Sequence, residues 1–404
     1  MSALLALLLQ AAPCTGPVCN FDTLGPWAAR LNAARSGAAG VEPLHILQIG
    51  DSHTAGDALT GAWRDLVQDE GGRGGRGVLP PGRPYAGYLT RGVTVTMSPS
   101  WQVAASFGPG SAPPRPPLGL SGFTLTSTTP DARMALTADP AMAFDRFVLC
   151  ALTNMVTRSV AVKTGDDVRT IDLNSDIVEP RCTTLRYDTP QTAIDVIADK
   201  GAVTLTSWAT FRDHGGVVLS NLGIVGSQLQ HFARIDDDVL AAELGAYAPD
   251  LIVLAFGTNE GFAPHFDPNT YRATLIEQVN RLRRLAPGVP LLMLGPPQAL
   301  SRNPALRANA EGALIGCPAA DPAKPPLFEP PALGRVRSIQ REVAQEMHFA
   351  WWDWGARMGG PCAAVRWVAD GRMRGDYVHL TSAGGRAVAQ LLEDDLVRFA
   401  TSDQ

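Results

Sequence analysis

Residues 45–53 read His-Ile-Leu-Gln-Ile-Gly-Asp-Ser-His, an apolar run that ends abruptly in a cluster of polar side chains. An apolar run of this length, closed by Gly50, is typical of a buried β-strand. Beyond it, apolar residues recur at helical spacing at Leu59, Trp63, Leu66 and Val67. The stretch therefore predicts a strand-turn-helix unit with Ser52 at its turn.

The same alternation returns in the second half of the chain. Further apolar runs are Val217-Val-Leu-Ser220, Leu251-Ile-Val-Leu-Ala-Phe256, Leu291-Leu-Met-Leu294 and Phe349-Ala-Trp-Trp-Asp353. Strands that are apolar at almost every position and alternate with helices are typical of a parallel sheet covered on both faces. We therefore predict a doubly wound α/β domain.

The segment between residues 94 and 212 has a different sequence pattern, with short β-branched runs separated by turn residues and no helical period. This pattern predicts a β-sandwich. The expected layout is a discontinuous α/β domain, 40–92 and 213–402, with 93–212 inserted and carbohydrate binding as one candidate role. The insert has few aromatic residues, chiefly Trp101, Phe107, Phe123 and Trp208, so no sugar-stacking platform is evident. The glycine-rich run 71–77 is expected to be a mobile loop, because it lacks the Lys-Ser/Thr ending of a phosphate-binding loop.

Composition describes a globular, mildly acidic protein. Of the 404 residues, 45% are hydrophobic and 18% charged, and the formal net charge is −5. Lys and Arg are outnumbered by Asp and Glu and form no long basic run, so no nucleic-acid partner is expected.

The first residues, Met1-Ser-Ala-Leu-Leu-Ala-Leu-Leu-Leu-Gln-Ala-Ala-Pro-Cys14, form an apolar stretch of signal-peptide length that is too short to span a bilayer. We expect residues 1–20 to be an export segment, the protein to be periplasmic or secreted, and no integral membrane span. The stretch lacks an initial Lys or Arg, so a trimmed or misassigned start is the alternative.

Six cysteines fall into local pairs: Cys14 with Cys19, Cys150 with Cys182, and Cys317 with Cys362. An even number in local pairs favours an oxidising compartment, with buried free thiols as the alternative. No Cys-x-x-Cys or Cys/His spacing indicates a zinc site. We expect neither a metal nor a cofactor.

Chemically suggestive residues follow the predicted strands, where parallel sheets place functional groups. Ser52 follows the first strand and suits a nucleophile, because its amide faces the positive end of a helix. His379 can serve as its base, and Asp376, three residues earlier, can hold the imidazole in the useful tautomer. The amide of Gly226 and the carboxamide of Asn259 are further candidate oxyanion donors.

Each of these residues has a simpler explanation, because serine, aspartate and asparagine commonly cap helices and glycine forms turns. Their joint occurrence in the right strand order favours catalysis.

Other residues near these candidate catalytic positions have two interpretations each. His53 is either a second base beside Ser52 or, more simply, a local cap or substrate contact. Asp51 and Trp352 are further candidate substrate contacts, although aromatic clusters such as residues 349–354 are more often core. Arg372 and Arg374 are either charges at the rim of the site or solvated ones.

As a set, Gly-Asp-Ser52, Gly226, Gly-Thr-Asn259 and Asp376-x-x-His379 resemble the four blocks of the SGNH (GDSL-like) hydrolase superfamily, over about two thirds of the chain. The resemblance implies a flavodoxin-like α/β/α fold and a Ser52–His379–Asp376 triad. It also implies an oxyanion hole formed by the Ser52 amide, the Gly226 amide and the Asn259 side chain.

Within that superfamily, Gly-Asp-Ser-His-Thr-Ala-Gly-Asp57 and the β-rich insert are similar to bacterial peptidoglycan O-acetylesterases, which carry a carbohydrate-binding-like β-module after the nucleophile helix. The expected activity is hydrolysis of short acyl esters, above all acetyl, on a cell-envelope glycan through an acyl-Ser52 intermediate. The alternatives are a glycan O-acyltransferase with the same triad and a glycan-binding envelope protein with a vestigial site.

Overall fold

The computed structural model describes Cys14 and residues 16–36, 42–88, 90–108, 112, 115–156, 158–308, 315–318 and 323–402. The expected export segment lies outside these residues, apart from Cys14 and residues 16–20. No helix in the described part of the chain is both long and apolar enough to cross a membrane.

The strands, numbered in chain order, are β1 (Val18–Cys19), β2 (Leu44–Gly50), β3 (Gly77–Leu79), β4 (Val93–Met97), β5 (Gln102–Ala105), β6 (Phe123–Ser127), β7 (Arg133–Ala138), β8 (Phe144–Leu152), β9 (Ser159–Thr164), β10 (Asp167–Asp172), β11 (Pro180–Gln191), β12 (Ala193–Lys200), β13 (Val203–Phe211), β14 (Val217–Gly223), β15 (Leu251–Ala255), β16 (Leu291–Leu294), β17 (Gly316–Cys317), β18 (Leu327–Phe328) and β19 (Ala350–Trp352). The α-helices are α1 (Gly25–Arg35), α2 (Ser52–Ala55), α3 (Leu59–Gly71), α4 (Leu229–Phe232), α5 (Asp237–Tyr247), α6 (Thr258–Gly261), α7 (Pro268–Leu285), α8 (Pro304–Ala308), α9 (Pro331–Met347), α10 (Trp354–Arg357), α11 (Ala363–Ala369) and α12 (Ser382–Ser402). Short 3-10 helices span Phe21–Leu24 and Pro140–Met142.

The central sheet has the order β1-β19-β16-β15-β2-β14. Five of its strands are parallel and β1 joins the edge antiparallel. Numbered along the chain, the parallel strands lie in the order 2-1-3-4-5, which is that of flavodoxin-like folds. The predicted α/β architecture is therefore confirmed, and all five predicted strands are present.

Helices cover both faces of this sheet, and alternate strand residues point to opposite faces. Ile46 and Val253 belong to the cluster under α1, α3 and α12, whereas Leu47 and Ile252 belong to the cluster under α5, α7 and α9. Every residue of β2, β15 and β16 is buried for this reason.

The middle of the chain forms two antiparallel sheets, with the orders β10-β9-β12-β7-β4 and β11-β8-β13-β6-β5. Residues of both sheets, such as Val160 from one and Leu205 from the other, meet in a single hydrophobic cluster. Trp101, Phe123 and Trp208 are buried there, whereas Phe107 is 39% exposed.

The glycine-rich run 71–77 is packed rather than a mobile loop, which corrects the expectation from sequence. Arg73 bridges to Val217, and Gly77 begins β3, which pairs with β13. A side chain at Gly77, where φ is +82°, would place its Cβ 2.2 Å from Ser220 Oγ. Here glycine allows the backbone to pass close to β14, so the run is a tight junction between the two parts of the chain.

The α/β part and the two-sheet part also share a core. Phe211 of β13 and Val148 of β8 pack in the same cluster as Leu240 and Leu244 of α5. Beside them, the buried carboxylate of Glu243 accepts a hydrogen bond from the Ser207 hydroxyl of β13.

Disulfide bonds join Cys14 to Cys19, Cys150 to Cys182 and Cys317 to Cys362, the local pairs noted in the sequence. Cys150 and Cys182 lie opposite each other on the antiparallel strands β8 and β11.

Candidate active site

Ser52 is the first residue of α2, directly after β2. The chain returns to β2 from one side with β14 and from the other with β15, so Ser52 lies at the switch point where ligands bind in open α/β sheets. Gly50 makes this tight turn feasible, because a Cβ there would lie 2.5 Å from the Ala255 carbonyl oxygen. The turn thus holds the hydroxyl at the carboxyl edge of the sheet.

The loop of residues 376–379 carries the other two candidate catalytic side chains. Asp376 Oδ1 accepts hydrogen bonds from the amides of Val378 (2.9 Å) and His379 (3.0 Å). Tyr377 adopts a left-handed conformation with φ +60°, which bends the loop, and its carbonyl accepts from the Leu300 amide at 3.0 Å. The loop is therefore fixed by its own aspartate and by the segment after β16.

The three side chains form a continuous hydrogen-bonded chain. His379 Nδ1 lies 2.9 Å from Asp376 Oδ2, and His379 Nε2 lies 3.0 Å from Ser52 Oγ. Partial burial raises the pKa of Asp376, but the amide hydrogen bonds from His379 and Val378 outweigh burial and lower it below its ordinary value. An ionised Asp376 accepts the Nδ1 proton, which leaves Nε2 free to take a proton from the serine hydroxyl.

The candidate oxyanion donors lie on the loop after β14 and in the short helix α6 after β15. Gly226 has φ +79°, a conformation that favours glycine. Asn259 Nδ2 donates to the Ser227 carbonyl at 2.8 Å, and Gln228 Nε2 donates to the Asn259 carbonyl at 3.1 Å. Because a carboxamide has two N–H groups, Asn259 keeps one for a ligand.

Glu260 strengthens this junction and was not singled out from the sequence. Its Oε1 accepts from the Leu229 amide at 2.7 Å, and the side chain is buried. Burial raises the pKa of Glu260 to about 7. Its only sequence signal is a charged residue directly after Asn259 in an apolar surrounding.

A second group missed from the sequence is a buried charged cluster behind the nucleophile turn. Asp57 accepts from Arg64 at 3.1 Å and from the Thr60 hydroxyl at 2.6 Å, and Arg76 lies 3.9 Å from its carboxylate. Burial raises the pKa of Asp57, but the charges of Arg64 and Arg76 outweigh it and lower the pKa. Both arginines also donate to Asn221 Oδ1, which ties the turn after α2 to β14.

The three candidate substrate contacts are buried. Trp352 is fully buried and its indole N–H donates to Asp395 at 2.8 Å, so it belongs to the core rather than to a substrate groove. Asp51 is 1% exposed and caps α2 by accepting the His53 amide at 2.9 Å. Both residues were expected to contact substrate, but the structure places them in the interior, outside the lining of the pocket beside Ser52.

His53 lies between Asp51 and the loop of residues 376–379. The residue is part of the lining of the pocket beside Ser52, and its ring nitrogens contact Asp51 and the Val378 carbonyl rather than Ser52. These contacts therefore fit a local structural role for His53 better than the role of a second base.

The pocket in front of Ser52 has a volume of about 230 Å³. Small residues form much of its wall, and all of its lining residues lie before position 93 or after position 212. Its lining comprises Ser52, His53, Ala55, Gly56, Ala58, Tyr85, Gly87, Val225, Arg374, His379 and Leu380. Of the two arginines noted from the sequence, Arg374 lines this pocket, whereas Arg372 lies over the Trp367 ring, 5.5 Å from its centroid.

The family model of GDSL-like lipases and acylhydrolases matches residues 197–387, which include Gly226, Asn259, Asp376 and His379. The chain is similar to a peptidoglycan O-acetylesterase of known structure, with 26% identity and a TM-score of 0.77 over 95% of this chain and 99% of the other. Weaker matches include a family two carbohydrate esterase from Cellvibrio japonicus (15% identity, 76% of this chain, 98% of the other, TM-score 0.26). They also include a GDSL-like lipase from Bacteroides thetaiotaomicron (15% identity, 45% of this chain, 76% of the other, TM-score 0.31). No curated protein matches the chain significantly.

Proposed function

Because the chain is a carboxylic ester hydrolase of the SGNH (GDSL-like) type, we propose that it removes short acyl groups, above all acetyl, from a cell-envelope glycan. The observation that carries this proposal is the hydrogen-bonded chain from Ser52 through His379 to Asp376 at the mouth of a small pocket. Walls of alanine and glycine leave room for a short acyl group next to Ser52, and the volume is below that of common drug-sized sites.

In the proposed mechanism, Ser52 Oγ attacks the ester carbonyl while His379 Nε2 takes its proton. Asp376 stabilises the imidazolium that forms. The amides of Ser52 and Gly226 and the carboxamide of Asn259 donate to the oxyanion. His379 returns the proton to the leaving sugar hydroxyl, and acyl-Ser52 remains. Water, deprotonated by His379, attacks the acyl carbon, and His379 returns that proton to Ser52 Oγ as the carboxylic acid leaves.

The similarity to a peptidoglycan O-acetylesterase over nearly the whole chain supports a glycan substrate. The three disulfide bonds support a periplasmic or secreted protein. Residues 1–20 are the expected export segment, but β1 and the Cys14–Cys19 bond tie its end to the folded chain, so we place the segment that is removed before Cys14. We further propose that residues 93–212 form an inserted β-sandwich that helps to bind the glycan, between hydrolase segments 40–92 and 213–402.

The first test is release of acetate from a chromogenic acetyl ester by the purified protein and by Ser52→Ala. We expect the variant to lose at least about 10³-fold in kcat, because the nucleophile is gone. A fluorophosphonate probe should label the wild type and not the variant. Undiminished turnover by Ser52→Ala would exclude the proposed mechanism.

The second test addresses the substrate. Acetylated peptidoglycan, acetylated xylan and a lipid ester are assayed side by side, with peptidoglycan expected to give the highest kcat/KM. Measuring free acetate against acylated acceptor glycan in the same reaction separates hydrolysis from acyl transfer. Preference for the lipid ester would contradict the glycan assignment.

A further inference from the structure

Both ring nitrogens of His53 face hydrogen-bond acceptors. Nδ1 lies 3.2 Å from Asp51 Oδ1, and Nε2 lies 3.0 Å from the Val378 carbonyl oxygen. A neutral imidazole has one N–H group and can serve only one of these acceptors, whereas an imidazolium donates to both. The residue is only 6% exposed, so water has little room to replace a missing donor.

The two acceptors belong to the two halves of the proposed catalytic apparatus. Asp51 caps the helix that begins with Ser52, and Val378 directly precedes His379. The rings of His53 and His379 are stacked, with centroids 5.4 Å apart and planes 27° from parallel. The rings of Trp354 and His53 pack in a T-shaped arrangement, with centroids 5.3 Å apart. His53 therefore bridges segments that are 325 residues apart, beside the base itself.

We propose that His53 is a positioning residue that, as an imidazolium, joins the Asp51 carboxylate to the Val378 carbonyl and so holds His379 in reach of Ser52. This inference rests on the proposed triad, and it assigns His53 no contact with the reacting atoms.

The charged surroundings agree with a protonated ring. Burial lowers the pKa of His53, but the hydrogen bond and charge of Asp51, the Val378 carbonyl and the charge of Asp376 outweigh it and raise the pKa. The titratable groups that face the ring are Asp51 on the β2–α2 turn and Asp376 and His379 on the loop before α12. Trp354, from α10, contributes no charge.

A pH dependence follows. Above the raised pKa, His53 loses one proton, and the Asp51 carboxylate keeps the remaining N–H on Nδ1. The Val378 carbonyl then loses its donor, so His379 is held less firmly. The kcat/KM of the wild type should therefore fall on the alkaline side.

Two substitutions separate positioning from packing. His53→Gln keeps an amide N–H near the position of Nε2 and does not titrate near neutral pH, so it should retain kcat within about threefold and lose the alkaline fall. His53→Asn is too short to reach Val378 and should lose about 10- to 100-fold in kcat with KM little changed. His214→Gln, at a histidine whose side chain is 77% exposed, serves as the control and should behave as wild type.

Protonation is read independently of activity. Nitrogen-15 NMR of the histidine rings, assigned by difference with His53→Gln and recorded on Ser52→Ala, should show His53 protonated at both nitrogens at neutral pH. A singly protonated ring, or wild-type kcat and pH profile in His53→Asn while Ser52→Ala is inactive, would overturn the inference and leave the proposed function intact. Activity in Ser52→Ala would instead overturn the proposed function.

Discussion

Asp376 has two roles in the candidate active site. One of its oxygens accepts two amides of its own loop, and the other accepts the Nδ1 proton of His379. The same carboxylate therefore shapes the loop and sets the tautomer of the base. Replacing it affects the two tasks differently, which makes the residue informative.

Asp376→Asn should lower kcat by about 10³- to 10⁴-fold while changing the thermal midpoint little. The carboxamide oxygen can still accept the loop amides, but its NH2 group would meet Nδ1 and favour the wrong tautomer of His379. Steady-state kinetics with a chromogenic acetyl ester, alongside a melting curve, check this. A loss of less than tenfold would show that the aspartate does not set the tautomer.

Glu260 links stability to pH. Its pKa is raised from 4.5 to about 7, so between these values the folded chain holds a proton that the unfolded chain has released. Its contribution to stability is therefore present at low pH and is lost as the pH rises towards and through 7. A shift of this size corresponds to about 3 kcal/mol in the free energy of unfolding at pH 8.

Glu260→Gln removes the titration and keeps an oxygen for the Leu229 amide. The variant should gain stability over the wild type at pH 8 and gain little or none at pH 5. Urea unfolding at the two pH values measures the difference. The same offset at both would mean that Glu260 is not held neutral in the folded chain.

At the scale of elements, the turn after β5 carries Phe107 from the two-sheet part onto the hydrolase part. A Cβ added to Gly226 would lie 3.1 Å from the Phe107 ring. The ring also packs against His231, with ring centroids 4.8 Å apart. Phe107 is the exposed one among the four aromatic residues that the sequence singled out in this segment. The two-sheet part therefore contributes an aromatic face next to the candidate oxyanion hole.

If this face binds the sugar, Phe107→Ala should raise KM for acetylated glycan about tenfold and leave kcat/KM for a small chromogenic ester unchanged. Phe107→Trp should keep the wild-type KM because the aromatic face remains. Val168→Ala, at an exposed valine of β10, is the matched control. An equal loss on both substrates would point to a role for Phe107 in folding instead.

At the scale of the whole molecule, the α/β part and the two-sheet part are joined by more than two linkers. Helix α5 packs on β13 and β8, β3 pairs with β13, and Arg76 is buried at the junction. Each part has a core of its own, and a third cluster buries apolar side chains of both parts against each other.

We therefore expect the full chain to unfold in one calorimetric transition, although a chain of this length often unfolds in several steps. Leu244 lies in α5 at the shared core. Leu244→Ala should lower the midpoint temperature of that single transition, because it removes contacts that both parts use. Two separated transitions in the wild type would show that the parts are independent.

The sequence by itself determined the strands of the central sheet and the residues that follow them. A parallel strand covered on both faces is apolar at nearly every residue, as in Leu251–Ala255, so its local pattern is unambiguous. Because such strands end at one edge, the sequence assigns Ser52, Asn259 and the loop with Asp376 and His379 to a common site.

Only the tertiary structure decided what His53, Glu260 and Trp352 do. Val378 and Asp395, which bind His53 and Trp352, are remote from them in the chain, and the neighbouring sequence does not indicate these contacts. Hydrogen bonds to Val378 and Asp395, and burial from both sides, come from packing of distant segments. Local periodicity encodes which face of an element is buried, whereas the role of a buried polar side chain depends on which partner the fold brings to it.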